Sequence, residues 1–221
     1  MKSQHKIINF PVKAKGKRQT KQVRNLDQVK YFSEQQIRAL RKVARDRAAT
    51  GLLSAVKGWA IIDTLTSSGL RVSELCDLRV SDLNIDYGQS KIFVRNGKCH
   101  LSGSVVIPEG LKKHLKSFLK WKSGLGEPVG QDDYLFIGQR GPMSSQGVQQ
   151  IVKKYLKQLG FYESGKSVHA LRHSYAVAFY AREKDLKALQ RQLRHSNPQS
   201  TSIYANVSDE DIAGQVKGLW G

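Results

Sequence analysis

HALRHSYAVAFY, residues 169–180, has the alanines, Leu171, Val177, Phe179 and two tyrosines of a packed helix, yet its first turn carries His169, Arg172 and His173. Positions i, i+3 and i+4 of a helix share one face, so two imidazoles and a guanidinium stand side by side. Two histidines four apart suit zinc. Ala170, however, occupies the place where a zinc-protease helix carries its general-base glutamate, and Arg172 would repel a dication. An anion fits better, because arginine offers a bidentate fork to phosphate oxygens and the imidazoles add donors at a helix start. The plain alternative is a surface patch or a core histidine with its hydrogen bonds met. No metal and no other cofactor is expected.

Three further stretches favour the anion. SGLRVSEL, residues 68–75, puts Arg71 at a helix start, with Glu74 three residues on, where its carboxylate can orient the guanidinium. QLRHSNPQSTSIYANV, residues 192–207, supplies His195 and, nine residues later, Tyr204. Lys98 follows the Asn96-Gly97 turn, at a hairpin tip that can reach into a groove.

The elements that must hold these groups are legible from periodicity. Ser33 and Gln36 form a capping box before Ile37, Leu40, Ala44 and Ala48 at helical spacing. A second helix runs from about Ser54 through Trp59, Ile62 and Leu65 and ends at Gly69, and a short one carries Val72, Leu75 and Cys76. KIFVR and SVVI read as strands of a hairpin. Helix returns over 109–122, YLFI reads as a short strand, and helices follow at 144–160, 169–182, 185–194 and 209–220. The expected fold class is α+β, mostly helical, with a small antiparallel sheet.

Composition narrows the partner. The 221 residues hold 37 Lys and Arg against 18 Asp and Glu, a net charge of +19. Such an excess costs self-repulsion and points to a polyanion, with nucleic acid ahead of an anionic membrane surface. A membrane reading wants a basic amphipathic helix or a lipidation signal, and neither is found. Two cysteines are too few for a disulfide framework and suit a reducing cytoplasm. From Met1 to Leu26 every ionised side chain except His5 is Lys or Arg, so residues 1–26 are expected to be a flexible basic arm and residues 27–221 the folded domain. A merely solubilising tail is the alternative for the arm.

SGLRVSEL, HALRH and LRH with a tyrosine nine residues on, in this order, resemble the tyrosine recombinase (phage integrase) family from about residue 30 to the end. The resemblance implies the DNA breaking-rejoining catalytic fold and, position by position, Arg71 and Arg172 as paired phosphate-binding arginines. It implies Lys98 as the hairpin lysine, His169 and His195 as completing the pocket, and Tyr204 as the nucleophile. Phenolate attack on a phosphodiester raises the negative charge on the non-bridging oxygens, which two arginines stabilise where it develops. Tyrosine must shed a proton of pKa about 10, for which His169 is a reasonable acceptor, and Lys98 is the candidate donor to the leaving sugar oxygen. Duplex DNA with a specific site is the implied partner, with a homo-oligomer assembled on it in the cytoplasm, at the nucleoid of a prokaryotic cell.

This chain departs from the family pattern in places. Leu193-Arg194-His195 stands where Leu-Gly-His is usual, so the turn is expected to differ or Arg194 to contact DNA. Asn206 stands where a histidine is common, and the hairpin holding Lys98 is slightly long. His173 reads as structural support, Cys99, His100 and His114 as incidental, and Cys76 as core. The basic arm stands where most members carry a further helical domain, which suggests a host DNA-bending factor or partner recombinase. The segment SDEDIAGQVKGLW is expected to pack on its own domain or on a neighbouring subunit. A type IB topoisomerase and a catalytically silent DNA-binding regulator are the competing functions.

Overall fold

The computed structural model describes residues 29–95 and 102–205; the basic arm, the Asn96-Gly97 turn with Lys98, and the helix expected at 209–220 lie outside the described residues. Helix α1 (Glu34–Ala48) starts as its sequence dictates: Ser33 Oγ accepts from Gln36 N at 3.2 Å, and Gln36 Oε1 accepts from Ser33 N at 3.0 Å. Helix α2 (Leu53–Ser68) buries eleven of its sixteen residues, because other helices cover it on several sides. It runs through the middle of the core, against α1, α4 (Glu109–Gly124), α5 (Ser145–Gln158) and α6 (Val168–Glu183).

A buried carboxylate must be paired. Asp63, inside α2, is paired twice: Arg41 of α1 reaches it at 2.6 Å and His114 of α4 at 2.6 Å. His114, expected to be incidental, instead pins α4 to α2 and stacks on Trp59 at a centroid distance of 4.9 Å. Periodicity cannot reveal such a pair, because the partners lie on separate helices.

After the short α3 (Val72–Cys76), strands β1 (Leu83–Asn84), β2 (Lys91–Val94) and β3 (Gly103–Val106) form one antiparallel sheet in that order. Ile92 faces Val105, both fully buried, and Phe93 pairs with Ser104 on the exposed face. YLFI contributes less strand than expected. Only an isolated bridge joins Tyr134 to Arg79, and pairing resumes in β4 (Ile137–Gly138) with β5 (Gly141–Pro142). Helices α7 (Leu186–Leu193) and α8 (Gln199–Ser202) complete the described chain. A second small core of Ala176, Leu189, Leu193 and Tyr204 ties both to α6. The class is the expected one, mostly helical with a small antiparallel sheet. Among the described residues no helix is long and apolar enough to cross a membrane.

Candidate active site

Gly69 sets the first corner of the site. It ends α2 in the left-handed region, at φ 65°, and a Cβ there would lie 2.5 Å from Tyr175 Cδ1. Only glycine satisfies both demands. Its carbonyl is thereby turned toward α6, where it accepts from Arg172 NH1 at 2.5 Å. Arg172 NH2 donates to Leu193 O at 2.7 Å, at the end of α7. One buried guanidinium therefore joins α6 to the α2–α3 turn and to the turn after α7.

Glu74 sits at the centre of the arginines. Arg71 precedes α3, and both its backbone N–H (2.8 Å) and its NH1 (2.7 Å) donate to the Glu74 carboxylate, so SGLRVSEL builds the orienting pair its spacing suggests. Arg194 donates to Glu74 Oε2 at 2.5 Å, and Arg172 NH1 stands 3.9 Å from the same oxygen. Burial opposes the charge on Glu74, but Arg194 and the donors of Arg71 outweigh it and hold the carboxyl below its usual range. Burial, followed by the repulsion of Arg71, pushes Arg172 down to about 10. It stays charged at neutral pH.

The tyrosine lies within the electrostatic reach of Arg172. Pro198 opens the four-residue α8, and the following turn folds Tyr204 inward until its side chain is buried. Its hydroxyl meets His173 Nδ1 at 2.5 Å. Burial raises the phenol to about 12 against the attraction of Arg172, so the resting hydroxyl keeps its proton. His195 Nδ1 lies 2.9 Å from Thr201 Oγ1, whose backbone carbonyl accepts from Tyr204 N at 3.0 Å.

Burial, then the charges of Arg172, Arg71, His173 and Arg194, pushes His195 down to about 4. Its unfolded value is near 6.5. Between the two values only the unfolded chain takes up this proton, so the contribution of His195 to stability is intact above pH 6.5 and is lost as pH falls toward 4. The Tm of the wild type should therefore drop more steeply on acidification through this window than that of His195→Gln. Parallel slopes in thermal melts would contradict it.

The structure brings Arg71, Arg172, His195 and Tyr204 together. His169, in the first turn of α6, is exposed, and it is His173, one turn further on and expected as support, that holds the tyrosine hydroxyl. The H-x-x-R-H spacing marks both imidazoles, but only the return of the chain through α8 selects between them. Lys98, Cys99 and His100 lie outside the described residues. Arg194 does adopt positive φ, at 52°, and turns inward onto Glu74. Its position in a glycine-suited turn was the signal available in the sequence.

A family model, the phage integrase family, matches residues 30–211. The chain is 33% identical to the tyrosine recombinase XerA of Thermococcus kodakarensis, over 69% of this chain and 51% of that one. It is 29% identical to a tyrosine recombinase of Agathobacter rectalis, over 70% of this chain and 49% of the relative. The chain thus spans about half the length of these curated relatives. Its fold is similar to a crystal structure of a XerA recombinase, with a TM-score of 0.66, 26% identity, and 85% of this chain and 62% of that one covered. It is also similar to XerH bound to its difH substrate, with a TM-score of 0.72, 19% identity, and 90% and 56% covered. With the family model matched along nearly the whole described chain, this chain belongs to the phage integrase family of tyrosine recombinases.

Proposed function

We propose that the chain is a site-specific DNA recombinase, acting through a covalent 3′-phosphotyrosine at Tyr204. One observation carries the reading: a buried tyrosine hydroxyl held on His173, within the field of Arg172, whose own neighbours are Arg71 and Glu74. In the proposed step Tyr204 Oη attacks phosphorus, the P–O bond to the 5′ sugar oxygen breaks, and the phenolic proton passes to His173. Lys98 protonates the leaving 5′ oxygen. Proton transfers of this kind typically contribute roughly 10²–10⁴-fold each. Arg71 and Arg172 hold the non-bridging oxygens as their charge rises, and His169 and His195 donate to the same phosphate. The phosphotyrosyl bond keeps the energy of the broken linkage, so a different 5′-hydroxyl reverses the step without ATP.

The phenol rests at about 12, so DNA must do more than dock. A phosphate that engages Arg71 and Arg172 neutralises the field favouring phenolate, and proton transfer to His173 must then be concerted with attack. Rejoining to a new strand requires two sites held together, and hence more than one copy of the chain, with duplex DNA as the partner and the nucleoid-bearing cytoplasm as the place. A host DNA-bending factor or a partner recombinase would complete the grip on the site.

The strand-transfer products test the reading. Fragments of the DNA flanking the gene, incubated with the protein in EDTA, should yield junctions that join strands from two different fragments. Relaxation of supercoils without any such junction would mean a strand-swivelling enzyme instead. The arm, residues 1–26, is proposed to grip phosphates with its eight Lys and Arg. Deleting it should flatten the fall of log K with log[salt] by about 0.9 for each phosphate that the arm neutralises. An unchanged slope would make it a solubilising tail.

A further inference from the structure

Arg194 occupies a place that suits glycine, and holds it at two costs. It ends α7 at φ 52° and ψ 49°, a left-handed conformation shared among the non-glycine described residues only with Lys184. Side chains with a Cβ are disfavoured there. Its side chain is only 8% exposed, and Nε is buried with no hydrogen-bond partner among the described residues. A charge is kept buried where a partner compensates it, and the partner is Glu74. Room for the stem comes from β3: a Cβ on Gly103 would lie 3.1 Å from Arg194 Cδ.

The consequence appears in the lone pairs of the carboxylate. Glu74 Oε1 takes the Arg71 guanidinium. Oε2 takes the Arg71 backbone N–H at 2.8 Å and Arg194 NH2 at 2.5 Å, which fills both of its lone-pair directions. Arg172 NH1 is left 3.9 Å away, beyond hydrogen-bond reach, and donates to Gly69 O instead. Three guanidiniums around one carboxylate leave an unbalanced positive charge in the pocket.

We propose that Arg194 is a positioning residue: by saturating Glu74 Oε2 it keeps Arg172 at a loose 3.9 Å from the carboxylate, out of a direct hydrogen bond, and leaves that guanidinium for a phosphodiester. Without Arg194, the vacant lone pair of Oε2 draws Arg172 off its carbonyl partners. The identity of the anion as a scissile DNA phosphate rests on the proposed function; the saturation of Glu74 does not.

The test is a double-mutant cycle in the full chain, with single-turnover cleavage and DNA affinity measured separately. Arg194→Gly, which suits the turn, should slow cleavage on the order of 10- to 100-fold while DNA affinity changes by less than about threefold. Arg194→Lys, which keeps a cation within reach of Glu74, should recover part of the loss. In a Glu74→Gln background, Arg194→Gly should change the rate by less than about threefold, because the two residues act as a unit. Wild-type cleavage by Arg194→Gly, or losses that multiply in the double variant, would overturn the proposal. Should Arg194→Gly fail to fold, Arg194→Asn tolerates the same backbone and replaces it. A wild type that cleaves no DNA would count against the recombinase reading alone. Inorganic phosphate, titrated without DNA and followed through the His195 imidazole signals, then decides: about tenfold weaker binding by Arg194→Gly supports the role. Equal affinity, or no binding by either protein, overturns it.

Discussion

Tyr204→Phe is expected to bind DNA as the wild type does and to form no covalent adduct with it. The phenyl ring can keep the packing of Tyr204 against Ala176, Leu189 and Leu193, so the fold should survive. What disappears is the hydroxyl on His173, a single neutral hydrogen bond worth roughly 0.5–1.5 kcal/mol, and with it the proposed nucleophile. Melting should fall by a few degrees at most, while adduct formation falls below detection. A variant that still forms adduct would move the nucleophile elsewhere; one that no longer binds DNA would make Tyr204 a structural residue.

Arg172→Ala is expected to damage both fold and chemistry. Its guanidinium serves two buried carbonyls, Gly69 O and Leu193 O, that lie on separate turns. Losing it leaves both short of a donor and unties the turn carrying His195, at a cost of roughly 1–3 kcal/mol for each unsatisfied group. Removing one preorganised donor to a developing oxyanion typically costs about 10²–10³ in rate, and Arg172 also supplies the attraction that opposes burial at Tyr204. A loss of about a thousandfold or more in single-turnover cleavage is therefore expected. Arg172→Lys separates the two effects. A lysine can restore charge and part of the stability but cannot fork between two carbonyls, so cleavage should remain low. Cleavage by Arg172→Ala within about tenfold of wild type, in protein shown to be folded, would remove Arg172 from the chemistry.

Local signals in the sequence translate directly into structure here. The Ser33–Gln36 capping box, the left-handed Gly69 that stops α2, the Arg71–Glu74 pair and the β2–β3 pairing each depend on residues a few positions apart or on a hairpin register. What periodicity did not reveal is long-range. The Asp63–His114 pair spans two helices, so neither partner betrays the other. His169 and His173 are equivalent by spacing, and the choice between them is made by a tyrosine about thirty positions away. Arg194 was visible as an oddity in its turn, but its role needed Glu74, 120 positions earlier, and a glycine on β3 that makes room for its stem. At Asp63 and Arg194 an expensive local feature, a buried charge or a strained backbone, is compensated by a distant partner.

The proposed covalent bond between Tyr204 and DNA can be mapped chemically. Wild-type protein, incubated in EDTA with DNA from around its gene, is denatured in SDS, and the protein-linked strands are digested to peptides carrying a nucleotide remnant. The remnant is expected on Tyr204 through a 3′ phosphate, and the other end of the same cleaved strand is expected to bear a free 5′-hydroxyl. A remnant on any other residue, linkage to a 5′ phosphate, or tight DNA binding with no linkage at all would contradict it.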